Sequence, residues 1–343
     1  MKLGIMLGYS GGFAAAAEEL AEYEAAGADI VMVPEAYSFD AVSQLGFLAA
    51  RTTRIRLASG IMQLYSRTPT LTAMTAAGLD FVSGGRFSLG LGASGPQVVE
   101  GFHGVPYDAP VGRTREVVEI CRRVWRREPL VHNGRHYRIP LPTEFGKPLK
   151  LINHPVRARI PVILAAVGPR NVALAAEVAE GWQPLFFHPE RASRVWADAL
   201  AAGRSRRSPE LGPLEVLVTA PFAVTDDPSF VLAEHRAMLA LYIGGMGARG
   251  RNFSNDVVRK YGYEREAALI QDLYLTGRKA EATAAVPEDL VRATALAGPA
   301  GYVKDRLAAF ADAGVDTLLV SPSGPTRAER VKSFSALIDL MPR

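Results

Sequence analysis

The chain alternates apolar runs rich in β-branched residues with segments of helical periodicity, from its first residues to its last. Most of these runs lack the polar alternation of a half-exposed strand, which indicates parallel strands buried on both faces. Eight such strands alternating with helices predict an α/β fold, a (β/α)8 TIM barrel, with a doubly wound sheet as the alternative. The predicted strands are Leu3–Leu7, Ile30–Val33, Ile55–Ser59, Phe87–Leu91, Val162–Ala166, Trp182–Phe186, Glu215–Thr219 and Thr317–Val320.

Two stretches, about 127–160 and 226–298, interrupt the alternation. The first contains a predicted hairpin around Asn133-Gly134, a favoured turn dipeptide. Neither stretch has the size or composition of an independent domain. We therefore expect residues 1–343 to form a single barrel domain with two insertions.

Composition excludes several classes of protein. Apolar residues make up 48% of the chain and charged residues 22%, which is typical of a globular protein. The sequence contains no run of eighteen apolar residues without a charged residue, which argues against a membrane span. Met1–Gly8 lacks the apolar core and cleavage site of an export signal. The single cysteine, Cys121, cannot form an internal disulfide, so we expect a cytoplasmic protein without a membrane span. A net charge of +4 without a basic, aromatic-interleaved stretch does not support nucleic acid binding.

Motifs of several enzyme classes are missing. The sequence has no Gly-x-Ser-x-Gly elbow, no loop ending in Gly-Lys-Ser/Thr and no dinucleotide-binding glycine spacing. The six histidines do not have the spacing of metal ligands, so we expect no metal site.

In a barrel of this kind, functional residues lie at the carboxyl ends of the strands. Glu35 follows the second strand. A carboxylate at this position could orient a ligand or transfer a proton, and the structural alternative is that it caps a helix. Ser59, Gly60, Ile61 and Gln63 follow the third strand. A glycine here indicates a bulge or a close approach of the backbone to a flat ligand, although a plain strand-end glycine fits equally well.

Small residues follow the fourth strand, at Gly92, Ala93 and Ser94, and leave space and exposed N–H groups for a phosphate or a planar ring. The fifth strand is followed by Val167–Asn171, which leads directly into a helix. Proline is favoured in the first turn of a helix, and a helix N-terminus with an arginine nearby binds anions. This segment, Val167-Gly168-Pro169-Arg170-Asn171, therefore predicts a phosphate site.

Two longer segments, 49–61 and 83–92, resemble the luciferase-like flavin and deazaflavin oxidoreductases, and the resemblance extends along nearly the whole chain. Ser94–Gly101, Gly168–Asn171 and Gly244–Gly250 are similar to the actinobacterial subgroup that uses the deazaflavin coenzyme F420. The family implies a (β/α)8 barrel, usually a homodimer, with the cofactor ring across the strand ends.

The resemblance also assigns residues to the cofactor. It implies a non-prolyl cis bond at Gly60-Ile61 behind the ring, and the phosphate at Gly168-Pro169. Glu35 and Gln63 would then lie near the ring, and Ala93 and Ser94 beneath the tail.

The sequence departs from the sugar-phosphate dehydrogenases of this group. Their acidic residue after the second strand precedes a histidine, whereas Glu35 precedes Ala36, and their catalytic glutamate falls here at Gly95. A glucose-6-phosphate type of reaction is therefore not expected. The candidates for a catalytic proton donor are Glu35, Tyr37, Glu100 and His103.

The resulting prediction is an F420-dependent oxidoreductase that transfers a hydride to or from a C=C, C=N or carbinol carbon of a small molecule. An FMN-dependent monooxygenase of the same family is the alternative. A non-redox phosphate-binding barrel, such as an aldolase, is a third possibility, but it lacks a lysine at a strand end.

Overall fold

The computed structural model describes residues 1–8, 13–322 and 326–341. Most strands are short, and the strand that begins at Glu215 is twice as long as the first. The strands are β1 (Lys2–Met6), β2 (Ile30–Val33), β3 (Arg56–Ser59), β4 (Met62–Gln63), β5 (Phe87–Gly92), β6 (His132–Asn133), β7 (Arg138–Ile139), β8 (Val162–Ala165), β9 (Gly181–Gln183), β10 (Glu215–Val224), β11 (Leu296–Gly298) and β12 (Thr317–Ser321).

Eight of these strands form a closed parallel barrel. In chain order β1, β2, β3, β5, β8, β9, β10 and β12 each pair with the next, and β12 pairs with β1. Leu3 lies opposite Leu318 in the pairing that closes the sheet. The (β/α)8 barrel is therefore confirmed, and the doubly wound sheet, which would have two open edges, is excluded.

Helices cover the outside of the barrel, and several begin with proline in the first turn. The helices are α1 (Phe13–Ala26), α2 (Ala41–Arg51), α3 (Pro69–Val82), α4 (Pro96–Gly101), α5 (Pro110–Trp125), α6 (Pro169–Val178), α7 (Ala192–Arg204), α8 (Ser229–Ala240), α9 (Phe253–Lys260), α10 (Glu264–Leu275), α11 (Lys279–Ala284), α12 (Glu288–Ala293), α13 (Ala300–Asp312) and α14 (Arg327–Leu340), with a π-helical turn at Leu241–Gly245. No helix in the described ranges combines the length and apolarity that a membrane crossing needs.

Apolar side chains fill the barrel interior, so it is a packed core and not a pore. This inner cluster contains Met6, Ile30, Met32, Ala58, Ile163, Leu217 and Leu319. At the amino ends of the strands Arg56 donates two hydrogen bonds to the Glu215 carboxylate, at 2.8 and 2.9 Å. The opposite end, formed by the carboxyl ends of the eight strands, is called the rim below.

The structure differs from the predicted strands at the sixth barrel strand, at the seventh, which extends from Glu215 to Val224, and by an additional strand, β11. The sixth barrel strand covers Gly181–Gln183, not Trp182–Phe186, because the chain turns away and reaches a positive φ of 50° at Phe186. The stretch 226–298 also ends in a strand, β11, which pairs with the last part of β10. β10 is ten residues long, and β11 pairs with the part of its backbone that no barrel strand pairs with. The sequence does not predict β11 because a strand of three residues is too short to show periodicity.

The predicted hairpin in 127–160 is present, but its turn is longer than Asn133-Gly134. Asn133 pairs with Arg138, so the loop contains four residues. The Glu116 carboxylate accepts hydrogen bonds from three loop N–H groups, of Arg135, His136 and Tyr137, at 2.9 to 3.2 Å. The longer loop brings three successive N–H groups to this one carboxylate.

One continuous cluster of buried apolar residues extends through the chain. It includes Leu3 of the barrel, Leu130 of the first insertion and Ile270 of the second. This continuity supports the expectation of a single domain.

Candidate active site at the rim

The backbone makes a step at the end of β3. The peptide bond between Gly60 and Ile61 is cis, as the family resemblance implies, and the Gly60 N–H donates to the Val33 carbonyl at 2.7 Å. A Cβ on Gly60 would lie 3.0 Å from the Cβ of Met32, so glycine suits this close approach. After the step, β4 pairs with β5.

Glycines on β5 accommodate this step. A Cβ on Gly92 would lie 2.9 Å from the Ile61 side chain, and one on Gly90 would lie 1.8 Å from the Ser59 carbonyl oxygen. The Ser59 hydroxyl is fully buried, donates to the Gly90 carbonyl at 2.8 Å and accepts from its N–H at 2.9 Å. The Ser59 side chain therefore joins two strands, and only its backbone is free to contribute to a ligand site.

Two glutamines at the rim have an unused acceptor. Gln63 donates through Nε2 to the Ala36 carbonyl at 2.8 Å, and Gln183 donates to the Thr219 hydroxyl at 3.4 Å. The Oε1 atoms of both glutamines are buried and have no hydrogen-bond partner among the described residues. A buried unpaired acceptor is costly, so both atoms fit N–H or O–H groups of a bound ligand.

The N-terminus of α6 is open. Gly168 is the N-cap residue, with no side-chain cap, and Pro169 occupies the first turn. The first N–H bonded into the helix is that of Val172, which leaves those of Arg170 and Asn171 without a partner in the described chain. The exposed Arg170 lies in the same turn, so this helix start has the free donors and the positive charge that an anion needs, and the phosphate site at Val167–Asn171 stays a prediction.

Ala93 and Ser94 follow β5 at the same rim. Ser94 is exposed and has a positive φ of 58°, and its carbonyl accepts a hydrogen bond from the Tyr107 hydroxyl at 3.4 Å. Tyr107 therefore connects this turn to the loop that precedes α5.

Glu35 is bound on all sides by the protein. Arg67 donates to both of its carboxylate oxygens, at 2.5 and 2.8 Å, and the Ala41 N–H donates at 2.9 Å. The two side chains are only 7% and 14% exposed. This geometry corresponds to the helix-capping alternative more than to a free acid or base.

The other three catalytic candidates differ from one another, and the Tyr37 side chain is 67% exposed. Glu100 is exposed and accepts a hydrogen bond from the Tyr107 N–H at 3.0 Å, which orders the loop after α4. His103 has a buried Nε2 with no hydrogen-bond partner in the part of the chain that the structure describes. Of Glu35, Glu100 and His103, only His103 therefore keeps a buried atom available for proton transfer.

Sequence reasoning did not identify several rim residues. Gln183 and Thr219 lie within or at the end of apolar strands. A polar side chain in such an apolar run is the one feature of the sequence that could have identified them. Phe186 contacts Tyr242 edge to face at 5.2 Å, and Phe253 lies against Gly168. Tyr242 and Phe253 come from the second insertion, and nothing in their local sequence indicates this position.

The chain belongs to the luciferase-like monooxygenase family, whose model matches residues 1–317. It is 44% identical over 348 residues to a putative coenzyme F420-dependent oxidoreductase of Mycobacterium tuberculosis, covering 98% of this chain and 99% of the relative.

Two solved structures share the fold at low sequence identity. The F420-dependent tetrahydromethanopterin reductase of Methanopyrus kandleri is 22% identical with a TM-score of 0.81, and 97% of each chain is covered. An F420-dependent secondary alcohol dehydrogenase in complex with an F420-acetone adduct is 17% identical with a TM-score of 0.77, covering 100% of this chain and 99% of that one. Among the described residues, no group of three or more His, Cys, Asp or Glu side chains could hold a metal ion.

We expect Glu35→Ala to lower the free energy of unfolding by about 3–5 kcal/mol, because it leaves the buried Arg67 guanidinium without its partner. Urea unfolding followed by circular dichroism measures this loss. The double variant Glu35→Met/Arg67→Met should lose less than the sum of the single changes. As a control, removal of the exposed Glu281 carboxylate, which pairs with Arg278, should leave the urea midpoint unchanged. A wild-type midpoint in Glu35→Ala would show that the pair is not structural.

Proposed function

We propose that the protein is an F420-dependent oxidoreductase that transfers a hydride between the deazaflavin and a carbon of a small organic substrate. The observation that carries this proposal is the presence, at one rim, of a glycine step, two unpaired amide oxygens and an open helix N-terminus. A flat ring with polar edges and a phosphate tail needs these three kinds of contact. When bound, the deazaflavin supplies the hydride carrier, and the protein supplies binding, orientation and exclusion of water.

The ring would be held by Gly60, Ile61, Gln63 and Gln183. The backbone at Gly60-Ile61 would support one face of the ring, and the glycine lets this backbone lie directly against Met32 of the barrel interior. Gln63 is oriented by its hydrogen bond to Ala36, so its Oε1 is free to accept from the ring edge. The Glu35–Arg67 pair fixes the loops that carry Ala36 and Gln63.

The phosphate would bind at the N-terminus of α6. The N–H groups of Arg170 and Asn171 would donate to it, and the Arg170 guanidinium would add a positive charge. Val167, Gly168 and Pro169 form the turn into this helix start, and the Phe253 ring lies against Gly168. Gly92, Ala93 and Ser94 border the same tail.

Aromatic side chains indicate an apolar substrate region. Tyr37 and Phe102 have ring centroids 6.1 Å apart, and Phe186 contacts Tyr242. Burial raises the pKa of the Tyr242 phenol, so this hydroxyl stays protonated at neutral pH. Tyr37 and Phe102 are exposed, so they offer an apolar surface to a substrate, which suits a C=C, C=N or carbinol compound.

Gly168→Leu should weaken F420 binding roughly ten- to a thousandfold, because the added side chain displaces the phosphate or the helix start. A Cβ at this position lies 3.1 Å from the Phe253 ring, so Gly168→Leu/Phe253→Ala tests whether the aromatic contact causes the loss. Fluorescence quenching measures affinity, and thermal unfolding verifies the fold. Gly301→Leu, in the first turn of α13 with open space around it, is the matched control.

Two results of this titration would count against the proposal. Unchanged F420 affinity in a folded Gly168→Leu protein would contradict the phosphate site. Equal or tighter binding of FMN than of F420 by the wild type would favour the FMN-dependent monooxygenase.

We infer that His103 transfers the proton that accompanies the hydride, because its Nε2 is buried and unpaired while Glu35 and Glu100 are engaged. His103→Gln should lower kcat by about 10²–10⁴-fold and remove one limb of its pH profile, with F420 affinity unchanged. The assay uses a substrate identified from a panel of alkenes, imines and alcohols. Glu100→Gln is the control and should keep the profile; a His103→Gln enzyme with the wild-type profile would exclude this role.

We propose a homodimer formed through the α2–α3 face, defined here as Phe47, Leu71, Met74, Phe81 and Val82. These side chains are 44–67% exposed, and the last four lie on one helix at helical spacing. Exposed large apolar side chains gathered on two neighbouring helices are typical of an interface between subunits. A cytoplasmic location and the absence of a nucleic acid partner stay predictions from the sequence.

Met74→Asp should convert the dimer to a monomer, because it places a charge in the centre of the α2–α3 face. Sedimentation velocity measures the change, with circular dichroism to verify the fold. Met238→Asp, at an exposed methionine of α8 outside this face, should remain dimeric. A monomeric wild-type protein would disprove the proposal.

A further inference from the structure

A cavity of about 580 Å³ lies beside the rim, between the loop after β4, the loop that leads into α5 and the β6–β7 hairpin. Its volume is in the range of small-molecule sites. Three arginines and one aspartate line it, namely Arg67, Arg113, Arg138 and Asp108. None of the cofactor and substrate contacts proposed above lies in this cavity.

The three arginines differ in their pairing. Arg67 is paired with Glu35, and Arg113 donates to both Asp108 oxygens at 3.0 and 3.1 Å. Arg138 is exposed and has no carboxylate partner in the described ranges. The cavity therefore contains one positive charge that no protein group neutralises.

Two aromatic rings, Tyr65 and Tyr137, form part of the remaining wall. The Tyr65 hydroxyl donates to the Asp108 carbonyl at 2.7 Å, and its ring lies 5.3 Å from that of Tyr107. The Arg113 guanidinium lies over the Tyr137 ring at 5.4 Å. Tyr65 and Tyr137 are thus held in place before any ligand binds, which lowers the entropic cost of stacking an apolar body against them.

Glu116 holds the hairpin that carries Arg138. Its carboxylate binds the N–H groups of Arg135, His136 and Tyr137, the residues that directly precede Arg138. Burial raises the pKa of Glu116, but the hydrogen bonds from His132 and these N–H groups outweigh it and keep the pKa below its ordinary value. The carboxylate therefore stays ionised at neutral pH, and the backbone at Arg138 stays in position.

We propose that this cavity binds a small organic anion, with its carboxylate at Arg138 and its apolar body against Tyr65 and Tyr137. The site is separate from the phosphate site proposed at the N-terminus of α6. The carboxylate belongs either to a substrate or to an acidic tail of the cofactor, and the chemistry of recognition is the same for both.

Benzoate and its neutral analogue benzamide test the site by isothermal titration of the protein without added cofactor. The wild type should bind benzoate at least about tenfold more tightly than benzamide, since only benzoate forms an ion pair with two parallel hydrogen bonds to Arg138. Arg138→Gln should remove this preference. Arg135→Gln, on the same hairpin but outside the lining, should retain it. Equal affinity for the two probes, no measurable benzoate binding, or an unchanged preference in Arg138→Gln would each overturn the proposal.

A second titration distinguishes the two sources of the carboxylate. F420 with its glutamate tail and F420 without it are compared in the wild type and in Arg138→Gln. If the tail increases affinity only in the wild type, the cofactor tail occupies the cavity; if it contributes equally in both while benzoate binding is lost, the substrate does. Both outcomes support the site. Because the benzoate measurement needs no cofactor, failure of F420 to bind would contradict the proposed function without affecting this result.

Discussion

The pairing of β12 with β1 is the constraint on which the rest of the structure depends. It closes eight parallel strands into a barrel, so that all their carboxyl ends meet at one rim. Gln63, Gly168 and Gln183 are far apart in the chain and lie at one rim because β4, β5, β8 and β9 are neighbouring parallel strands. The apolar interior beneath the rim is filled, which excludes water from below and leaves the rim as the surface for a ligand.

The step at Gly60-Ile61 depends on close packing between β3 and β5. Gly90 has no space for a Cβ because the Ser59 carbonyl occupies it, and Gly92 is limited in the same way by Ile61. A side chain at either position would separate the strands and move the backbone that is proposed to support the ring. The packing of β3 against β5 therefore requires glycine at positions 90 and 92, whether or not a ligand binds.

The two insertions complete the rim and its surroundings. The second insertion contributes Tyr242 and Phe253, which lie against Phe186 and Gly168. The first contributes the hairpin that Glu116 orders and that forms one wall of the cavity containing Arg138. The barrel thus fixes the positions of the strand ends. The two insertions form the walls around the rim and the cavity beside it, and these walls limit which ligands can bind.

The sequence by itself determined the features that depend on neighbours along the chain. Periodicity predicted the barrel, and Gly168-Pro169 before an apolar helical segment predicted the helix start. Resemblance to a family predicted the cis bond at Gly60-Ile61. Only the tertiary structure decided that Arg67 binds Glu35, that the acceptors of Gln63 and Gln183 stay unpaired, and that Arg138 lines a cavity. These facts depend on contacts between residues that are distant in sequence, and such contacts exist only after the strands close and the insertions pack against them.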